Sequence, residues 1–149
     1  MAGLDHVPRF VYTRCMDCIF CKIVAGELPS HKVYENERVL AFLDIHPVHP
    51  GHTLVIPKVH ARNLLEIAAE DWAAVAEAAR MLAIAVEKAT DADGMNIMMN
   101  NRAHAGQVVD HAHVHVIPRF KGDGLRQWSP RSYKENEAAE IEAKIREAL

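Results

Sequence analysis

Apolar residues recur every three to four positions between residues 70 and 89, and this spacing predicts one long amphipathic helix. Glu70 and Asp71 in its first turn suit the positive end of a helix dipole. The predicted apolar stripe consists of Trp72, Val75, Ala79, Leu82 and Val86. A second helix is predicted over residues 135–149, where apolar residues again share one side.

Five shorter segments are rich in apolar and β-branched residues, and turns or loops separate them, as is typical of strands. They cover residues 33–35, 39–44, 53–57, 94–99 and 111–118. We therefore expect an α+β fold, in which a five-stranded antiparallel sheet carries its helices on one side and the long helix lies across it.

Composition narrows the class of protein. The length of 149 residues and a hydrophobic content of 50% fit a single domain with a real core. A net charge of −3 argues against general nucleic-acid binding, which requires a basic face. The N-terminus lacks a basic stretch followed by a long apolar run, so we expect no signal peptide and a cytoplasmic location. Glu77 and Arg80 interrupt the most apolar tract, so no membrane span is expected.

The ten histidines are the unusual feature of the composition, and three of them alternate in His111-Ala-His113-Val-His115. Alternate side chains of a strand share a face, so these three rings should point one way. The outer two would lie about 13 Å apart, which argues against one metal ion held by all three. A neutral imidazole can attack phosphorus and then be displaced by water. The alternative is a plain surface position or a chance metal-binding face.

The segment from His111 to Pro118 resembles the His-x-His-x-His signature of the histidine-triad (HIT) family of nucleotide hydrolases and transferases. Further segments resemble that family in the same order along the chain, namely residues 18–26, 42–45, 51–60 and 100–107. The resemblance runs from about residue 17 to residue 122. It leaves residues 1–16 as a lead-in and residues 123–149 as a C-terminal segment, and it implies a homodimer with two sites.

The resemblance also implies a role for each matching side chain. His113, the middle of the triad, would be the nucleophile, and His52 would orient the triad or help to charge it. Asp44 would accept hydrogen bonds from ribose hydroxyls. The phosphate would be held by His115, Asn100, Gln107 and the backbone near Val108 and Val109. The apolar slot for a purine would consist of Ile19, Phe20, Ile23, Phe42 and Ile45.

Each of these side chains also has an ordinary structural explanation. The apolar residues can be simple core, Asn100 and Gln107 can cap their own loop, and Asp44 can serve the turn before Pro47. The remaining histidines of the nearby loops are expected to be solvated: His46, His49 and His104.

Two positions bear on the type of reaction within the family. Members that cleave phosphoramidates usually carry serine or threonine directly after the glutamine, whereas this chain has Val108, which cannot donate a proton. The leaving group therefore stays open. The branch that transfers sugar phosphates carries glutamine at the third triad position, whereas this chain has His115, so hydrolysis is the expected reaction.

The three cysteines crowd into residues 15–21, which suggests metal or redox chemistry more than a disulfide framework. Cys18 and Cys21 could supply two thiolates to a tetrahedral site. The resemblance to the bacterial branch of the family implies that His60 and His111 complete a structural zinc site. A pairing of Cys15 with Cys18, or reduced thiols without metal, are the alternatives.

The function expected from these observations is a two-step hydrolysis of a purine nucleoside phosphate derivative at its α-phosphate. The admissible substrates are dinucleoside polyphosphates, phosphoramidates and aminoacyl adenylates. One rival is a non-catalytic nucleotide-binding or scaffold protein that retains the pocket. A second rival is a hydrolase with a catalytic zinc ion bound by His111 and His113.

Overall fold

The computed structural model describes residues 17–126 and 128–149. The proposed lead-in and Cys15 lie outside these residues. In chain order the elements are α1 (Ile19–Val24), β1 (Lys32–Glu35), β2 (Val39–Leu43), β3 (Thr53–Pro57), α2 (Ala69–Thr90), β4 (Gly94–Met98), a 3₁₀ turn (Ala103–Ala105), β5 (Val114–Arg119) and α3 (Glu137–Glu147). None of the helices in the described ranges is both long and apolar enough to cross a bilayer.

The five strands form one antiparallel sheet in the order β1-β2-β3-β5-β4, which confirms the predicted fold class. The last strand begins later than predicted, at Val114 and not at His111. The reason lies in the backbone hydrogen bonds before it. The N–H of His111 donates to Val109 at 2.8 Å in a tight turn, and the N–H of Ala112 donates to the loop carbonyl of Ala61 at 2.7 Å. These groups are therefore not available to a strand ladder.

The long helix α2 packs on one face of the sheet, with bounds within one residue of the prediction. Its buried side chains meet alternate residues of the central strands, and the resulting core contains Val39, Ala41, Val55, Val75, Ala78, Ala79, Leu82, Val86, Val114 and Val116. Asp91 ends the helix in the left-handed conformation (φ 51°). This face carries the bulk of the apolar packing and fixes β5 by its inward-facing valines.

The opposite face of the sheet is also covered, which corrects the expectation that the helices lie on one side. The outward-facing residues of β2 and β3 are apolar as well, so both faces require a cover. The six-residue helix α1 supplies it through Phe20, and the second core contains Cys18, Phe20, Leu40, Phe42, Leu54 and Ile56. Helix α1 is too short to show helical periodicity and was not predicted.

Helix α3 differs from the other two because none of its residues is buried. Its predicted apolar side includes Ile141 and Ile145, which are 41% and 57% exposed. The sequence periodicity therefore predicted the helix correctly but does not provide a packing partner within the described part of the chain.

Gly51 allows the loop before β3 to pack closely against the end of α2. Its φ of +98° lies in the left-handed region, and a Cβ there would stand 2.8 Å from the Thr90 side chain and 3.4 Å from Val86. Only glycine meets both conditions without strain. The next residue is His52, so this close approach positions a side chain of the candidate site.

Candidate active site

A cavity of about 480 Å³ opens on the face of the sheet that carries α1. It extends from the end of β2 across β3 to the segment that enters β5. Among the residues expected to bind nucleotide, those in its wall are Ile19, Phe20, Ile23, Phe42, Asp44, Ile45, Asn100, Val108, His113 and His115. Further wall residues that the sequence did not single out include Pro29, Ser30, Leu43 and Leu54, and the wall also contains His46, which was expected only to be solvated.

The apolar part of the wall combines core and pocket positions. The Phe20 ring meets Phe42 edge to face at 5.5 Å and His113 at 5.4 Å between centroids. Both phenylalanines are buried, so they hold the cavity open as well as belonging to the second core. Ile45 is 82% exposed and Ile19 is 47% exposed, which leaves two aliphatic side chains at the mouth without internal packing. Such an arrangement suits a flat apolar ligand.

His113 is held in one tautomer by the backbone. Its Nδ1 lies 2.6 Å from the carbonyl oxygen of His111, and a carbonyl can only accept, so Nδ1 carries the proton. The lone pair of neutral His113 is therefore on Nε2. The side chain is only 6% exposed, and its ring also contacts His115 at 4.9 Å. His113 thus offers an oriented nucleophilic nitrogen in the wall of the cavity.

A chain of hydrogen bonds fixes His52 and His115 in the same way. The N–H of Val48 donates to Nδ1 of His52 at 3.1 Å, so the proton of neutral His52 is on Nε2. That nitrogen donates to Nδ1 of His115 at 2.9 Å. The proton of His115 is consequently on Nε2, where it can serve a ligand. His52 itself is buried behind His115 and does not line the cavity.

Both rings of this chain are neutral near pH 7. Burial, with smaller contributions from the neighbouring His113 and His52, lowers the pKa of His115 to about 4. Burial also lowers the pKa of His52, while the Asp44 carboxylate opposes the shift. Both shifts favour neutral rings in the free protein, and the role of His52 beside the triad stays a prediction. His115 acts as a neutral N–H donor, which is the kind of fixed dipole that stabilises developing negative charge.

Asp44, His52 and His115 also form a group with the reach to hold a metal ion. The hydrogen bonds argue against that use. Because Val48 donates to Nδ1 of His52, the ring keeps its proton on Nε2, the atom that would face the ion. The Asp44 Oδ2 atom lies 3.6 Å from this Nε2 and Oδ1 accepts from the N–H of His46 at 2.8 Å. The three side chains are therefore linked by hydrogen bonds and close contacts. Asp44 also serves the turn before Pro47, which was the structural alternative for this residue.

Gln107 is not positioned to bind a phosphate with its side chain, contrary to prediction. Its amide nitrogen donates to the carbonyls of Val109 and Arg62, and its Oε1 accepts from the N–H of Arg102 at 2.6 Å. The side chain is buried and does not line the cavity. The amide nitrogen and oxygen of Gln107 therefore both form hydrogen bonds to the protein backbone, as in the capping alternative. The loop that it shapes presents Asn100 and Val108 to the cavity, and the Val108 side chain is 92% exposed there.

The four proposed metal ligands, which include His111, lie close together. Sγ of Cys18 is 3.5 Å from Nδ1 of His111, and Sγ of Cys21 is 3.3 Å from Nδ1 of His60 and 3.6 Å from Nδ1 of His111. A tetrahedral zinc ion with ordinary Zn–S and Zn–N bonds places sulfur and nitrogen ~3.6 Å apart. The separations fit that geometry.

The tautomer of His111 fits the same site. Its Nε2 donates to the carbonyl of Pro57 at 2.8 Å, which leaves Nδ1 unprotonated towards the sulfur atoms. A metal-bound histidine usually makes this kind of bond with its second nitrogen. Burial lowers the pKa of His111 to about 4, so the ring is neutral. His113 instead donates from Nδ1 to a backbone carbonyl. Among the described residues, no cluster of possible metal ligands contains both His111 and His113, so the structure gives no support to a catalytic zinc ion between them.

The family model described as HIT domain matches residues 25–122 of this sequence. The chain belongs to the HIT domain family. Protein hit of Bacillus subtilis is 45% identical over 137 residues, which are 89% of this chain and 94% of that protein. The adenylylsulfatase HINT3 of Arabidopsis thaliana is 39% identical, covering 89% and 70%, and the adenosine 5'-monophosphoramidase hnt1 of Schizosaccharomyces pombe is 44% identical, covering 70% and 75%.

Solved structures of this family have the same fold. SMU.412c from Streptococcus mutans UA159 superposes with a TM-score of 0.86 at 44% identity, covering 99% of this chain and 94% of that one. A zinc-bound histidine triad family protein from Mycobacterium smegmatis gives 0.71 at 38% identity, covering 90% and 99%. The predictions of the HIT family and of a hydrolase of that family are confirmed, because relatives that carry enzyme names match most of the chain.

Proposed function

We propose that this HIT protein hydrolyses purine nucleoside phosphate derivatives at the α-phosphate through a nucleotidyl-histidine intermediate on His113. The observation that carries the proposal is the fixed tautomer of His113, with Nδ1–H on the His111 carbonyl and Nε2 free at the cavity. A nucleophile needs such a lone pair held in place before the substrate arrives.

In the first step, Nε2 of His113 attacks phosphorus and the bond from phosphorus to the leaving group breaks. The ring becomes positively charged, and the His111 carbonyl stabilises it through Nδ1–H. In the second step, water attacks phosphorus and gives up a proton to solvent, the P–N bond breaks, and the electron pair returns to Nε2. The products are a nucleoside monophosphate and the protonated or free leaving group.

Three neutral groups would hold the phosphate oxygens during both steps. Nε2–H of His115 is one, and Asn100 is the second. The third is the backbone at Val108 and Val109, whose N–H groups make no hydrogen bond within the described ranges. Asp44 would bind the ribose with Oδ2, and a purine would lie in the slot formed by Ile19, Phe20, Ile23, Phe42 and Ile45. Gln107 would contribute by shaping the loop.

We favour adenylates and phosphoramidates over dinucleoside polyphosphates as substrates. Among the described residues, no lysine or arginine lines the cavity, so none of them offsets the several negative charges of a polyphosphate leaving group. Two relatives are named for adenylyl chemistry, as an adenylylsulfatase and an adenosine monophosphoramidase. Because Val108 supplies no proton, an amine leaving group must take its proton from solvent, so we expect adenylates to react faster than phosphoramidates.

Turnover of adenosine 5'-phosphoramidate and of an adenylate by His113→Ala tests the proposal. We expect kcat to fall at least about 1,000-fold, as for other nucleophiles acting with their neighbours. His31→Ala is the matched control, since His31 is exposed and outside the cavity wall. Should wild type bind AMP but turn over neither substrate, the non-catalytic binding protein would be the better description.

We also propose that Cys18, Cys21, His60 and His111 bind a structural zinc ion. The separations and the His111 tautomer support a closed Cys₂His₂ site. When bound, the ion would join the N-terminal end of α1 to the segment that carries the nucleophile. The cytoplasmic location remains a prediction.

The homodimer remains a proposal, for which we suggest the face formed by β4 and the neighbouring side of α2. Strand β4 is an edge of the sheet, and an edge strand offers unpaired backbone groups to a second chain. Apolar side chains on this face are partly exposed, namely Met81, Ile84 and Ile97. Sedimentation should give the mass of two chains, and Ile97→Lys should shift it to that of one. A wild type that sediments as one chain at micromolar concentration contradicts the proposal.

A further inference from the structure

Ser30 carries a buried hydroxyl group that has no hydrogen-bond partner. In the described part of the chain, its Oγ is the one buried side-chain polar atom in this condition. Leaving a buried hydroxyl unpaired costs free energy, so an unpaired group in a folded protein calls for an explanation. Ser30 lies in the loop between α1 and β1, and it forms part of the wall of the cavity.

The position of Ser30 relative to His115 follows from the order of the strands. The Leu43 N–H donates to the carbonyl of His31 at 3.0 Å, which ties the loop to the end of β2 beside β1. Three strand spacings separate β1 from β5, or about 14 Å. Ser30 is therefore at the end of the cavity away from the triad. Asp44 lies between them in the wall, in the order phosphate site, ribose site and Ser30.

Most of the residues that line the cavity are apolar. Leu43, whose N–H donates to the carbonyl of the residue after Ser30, is apolar, and so are Ile23 and Phe42 of the proposed purine slot. Among the described residues, Ser30 supplies the only side-chain hydroxyl in the wall. A purine in an apolar slot still has ring nitrogens that accept hydrogen bonds, and these need a donor once water is displaced.

We propose that Ser30 is a base-recognition residue, whose hydroxyl donates to a ring nitrogen of the bound purine. This inference rests on the proposed nucleotide site. Rotation about the Cα–Cβ bond can turn the hydroxyl towards the ligand, because a serine has several staggered positions. The Ser30 hydroxyl is then unpaired in the free protein because its hydrogen-bond partner is the bound purine.

Binding of AMP and of its 1-deaza, 3-deaza and 7-deaza analogues to wild type and Ser30→Ala tests the proposal. In each analogue, one ring nitrogen becomes a C–H group. We expect one analogue to bind wild type about fivefold to tenfold more weakly than AMP, which corresponds to one lost hydrogen bond. The same analogue should bind Ser30→Ala as AMP does. Ser132→Ala, at an exposed position, is the matched control.

Thermal unfolding without ligand separates recognition from a structural role. Ser30→Ala removes an unpaired buried hydroxyl, so Tm should rise by roughly 2 °C or more. A fall in Tm, or equal binding of all analogues by wild type, overturns the assignment of Ser30. If wild type does not bind AMP at all, the nucleotide site itself is wrong and the assignment falls with it.

Discussion

At the scale of single residues, four histidines near the sheet differ because each has a different hydrogen-bond partner. His113 donates through Nδ1 to a carbonyl, and His111 donates through Nε2 to another carbonyl. His52 accepts from a backbone N–H at Nδ1 and donates through Nε2 to Nδ1 of His115, which leaves the proton of His115 on Nε2. In the function proposed above, one type of side chain would therefore supply a nucleophile, a metal ligand, a donor and a support for that donor.

The lowered pKa of His115 predicts how stability depends on pH. Unfolding returns this pKa from about 4 to an ordinary value near 6.5, so between these values the unfolded chain binds more protons. Its contribution to stability is fully present above pH 6.5 and is lost as pH falls towards 4. Urea unfolding at pH 7, 6, 5 and 4 should show a smaller loss for His115→Gln than for wild type. Equal losses in both proteins would contradict the neutral-donor account of His115.

At the scale of elements, the sequence patterns predicted the elements with a regular apolar repeat and missed the short helix α1. The register of α2 followed from its stripe, and five apolar segments predicted five strands. Helix α1 has six residues, less than two turns, so its apolar side could not be distinguished from a strand or loop. The start of β5 depended on a bond from Ala112 to the distant Ala61, which no local pattern contains.

Gly51 gives a prediction at this scale, because it joins the loop before β3 to the end of α2. Gly51→Ala adds a left-handed strain and a contact of 2.8 Å with Thr90, and should lower the free energy of unfolding by about 3 kcal/mol. Gly26→Ala is the control, since Gly26 is also left-handed (φ +76°) but has no atom near its missing Cβ. Its cost should be about 1 kcal/mol. Equal losses in denaturant unfolding would show that packing at Gly51 does not matter.

At the scale of the whole molecule, the four proposed zinc ligands come from three parts of the chain that are far apart in sequence. Cys18 and Cys21 come from the start of α1, His60 from the loop after β3, and His111 from the segment before β5. The backbone carbonyl of His111 also accepts a hydrogen bond from Nδ1 of His113, the proposed nucleophile. The proposed ion would therefore stabilise both the N-terminal cover of the sheet and the position of His113.

Removing one ligand tests this account of the cluster. Purified wild type and His31→Ala should contain one zinc ion per chain, and His60→Ala should contain much less. A strong chelator should lower Tm of the first two proteins by on the order of 10 °C and leave His60→Ala nearly unchanged. Elemental analysis and thermal unfolding provide both readouts. Zinc retained in His60→Ala would exclude the proposed ligand set.

The sequence predicted the residues that line the cavity better than it predicted their hydrogen bonds. Ten of the expected nucleotide-binding and catalytic side chains line one cavity, because the motif residues lie at strand ends that meet there. Gln107 was misplaced because an amide serves a loop as well as a ligand, and only its three bonds decide between them. Ser30 carries no motif, and only its unpaired hydroxyl in the folded chain draws attention to it.

The central claim is that Nε2 of His113 forms a bond to phosphorus, and mass spectrometry of the intact protein tests it most directly. Wild type, His113→Ala and His31→Ala would each be mixed with an adenosine phosphoramidate or an adenylate and quenched in denaturing base within milliseconds to seconds. We predict a transient gain of one adenylyl mass on wild type and on His31→Ala, and none on His113→Ala. Turnover by wild type without any such adduct, or an equal adduct on His113→Ala, would contradict the account.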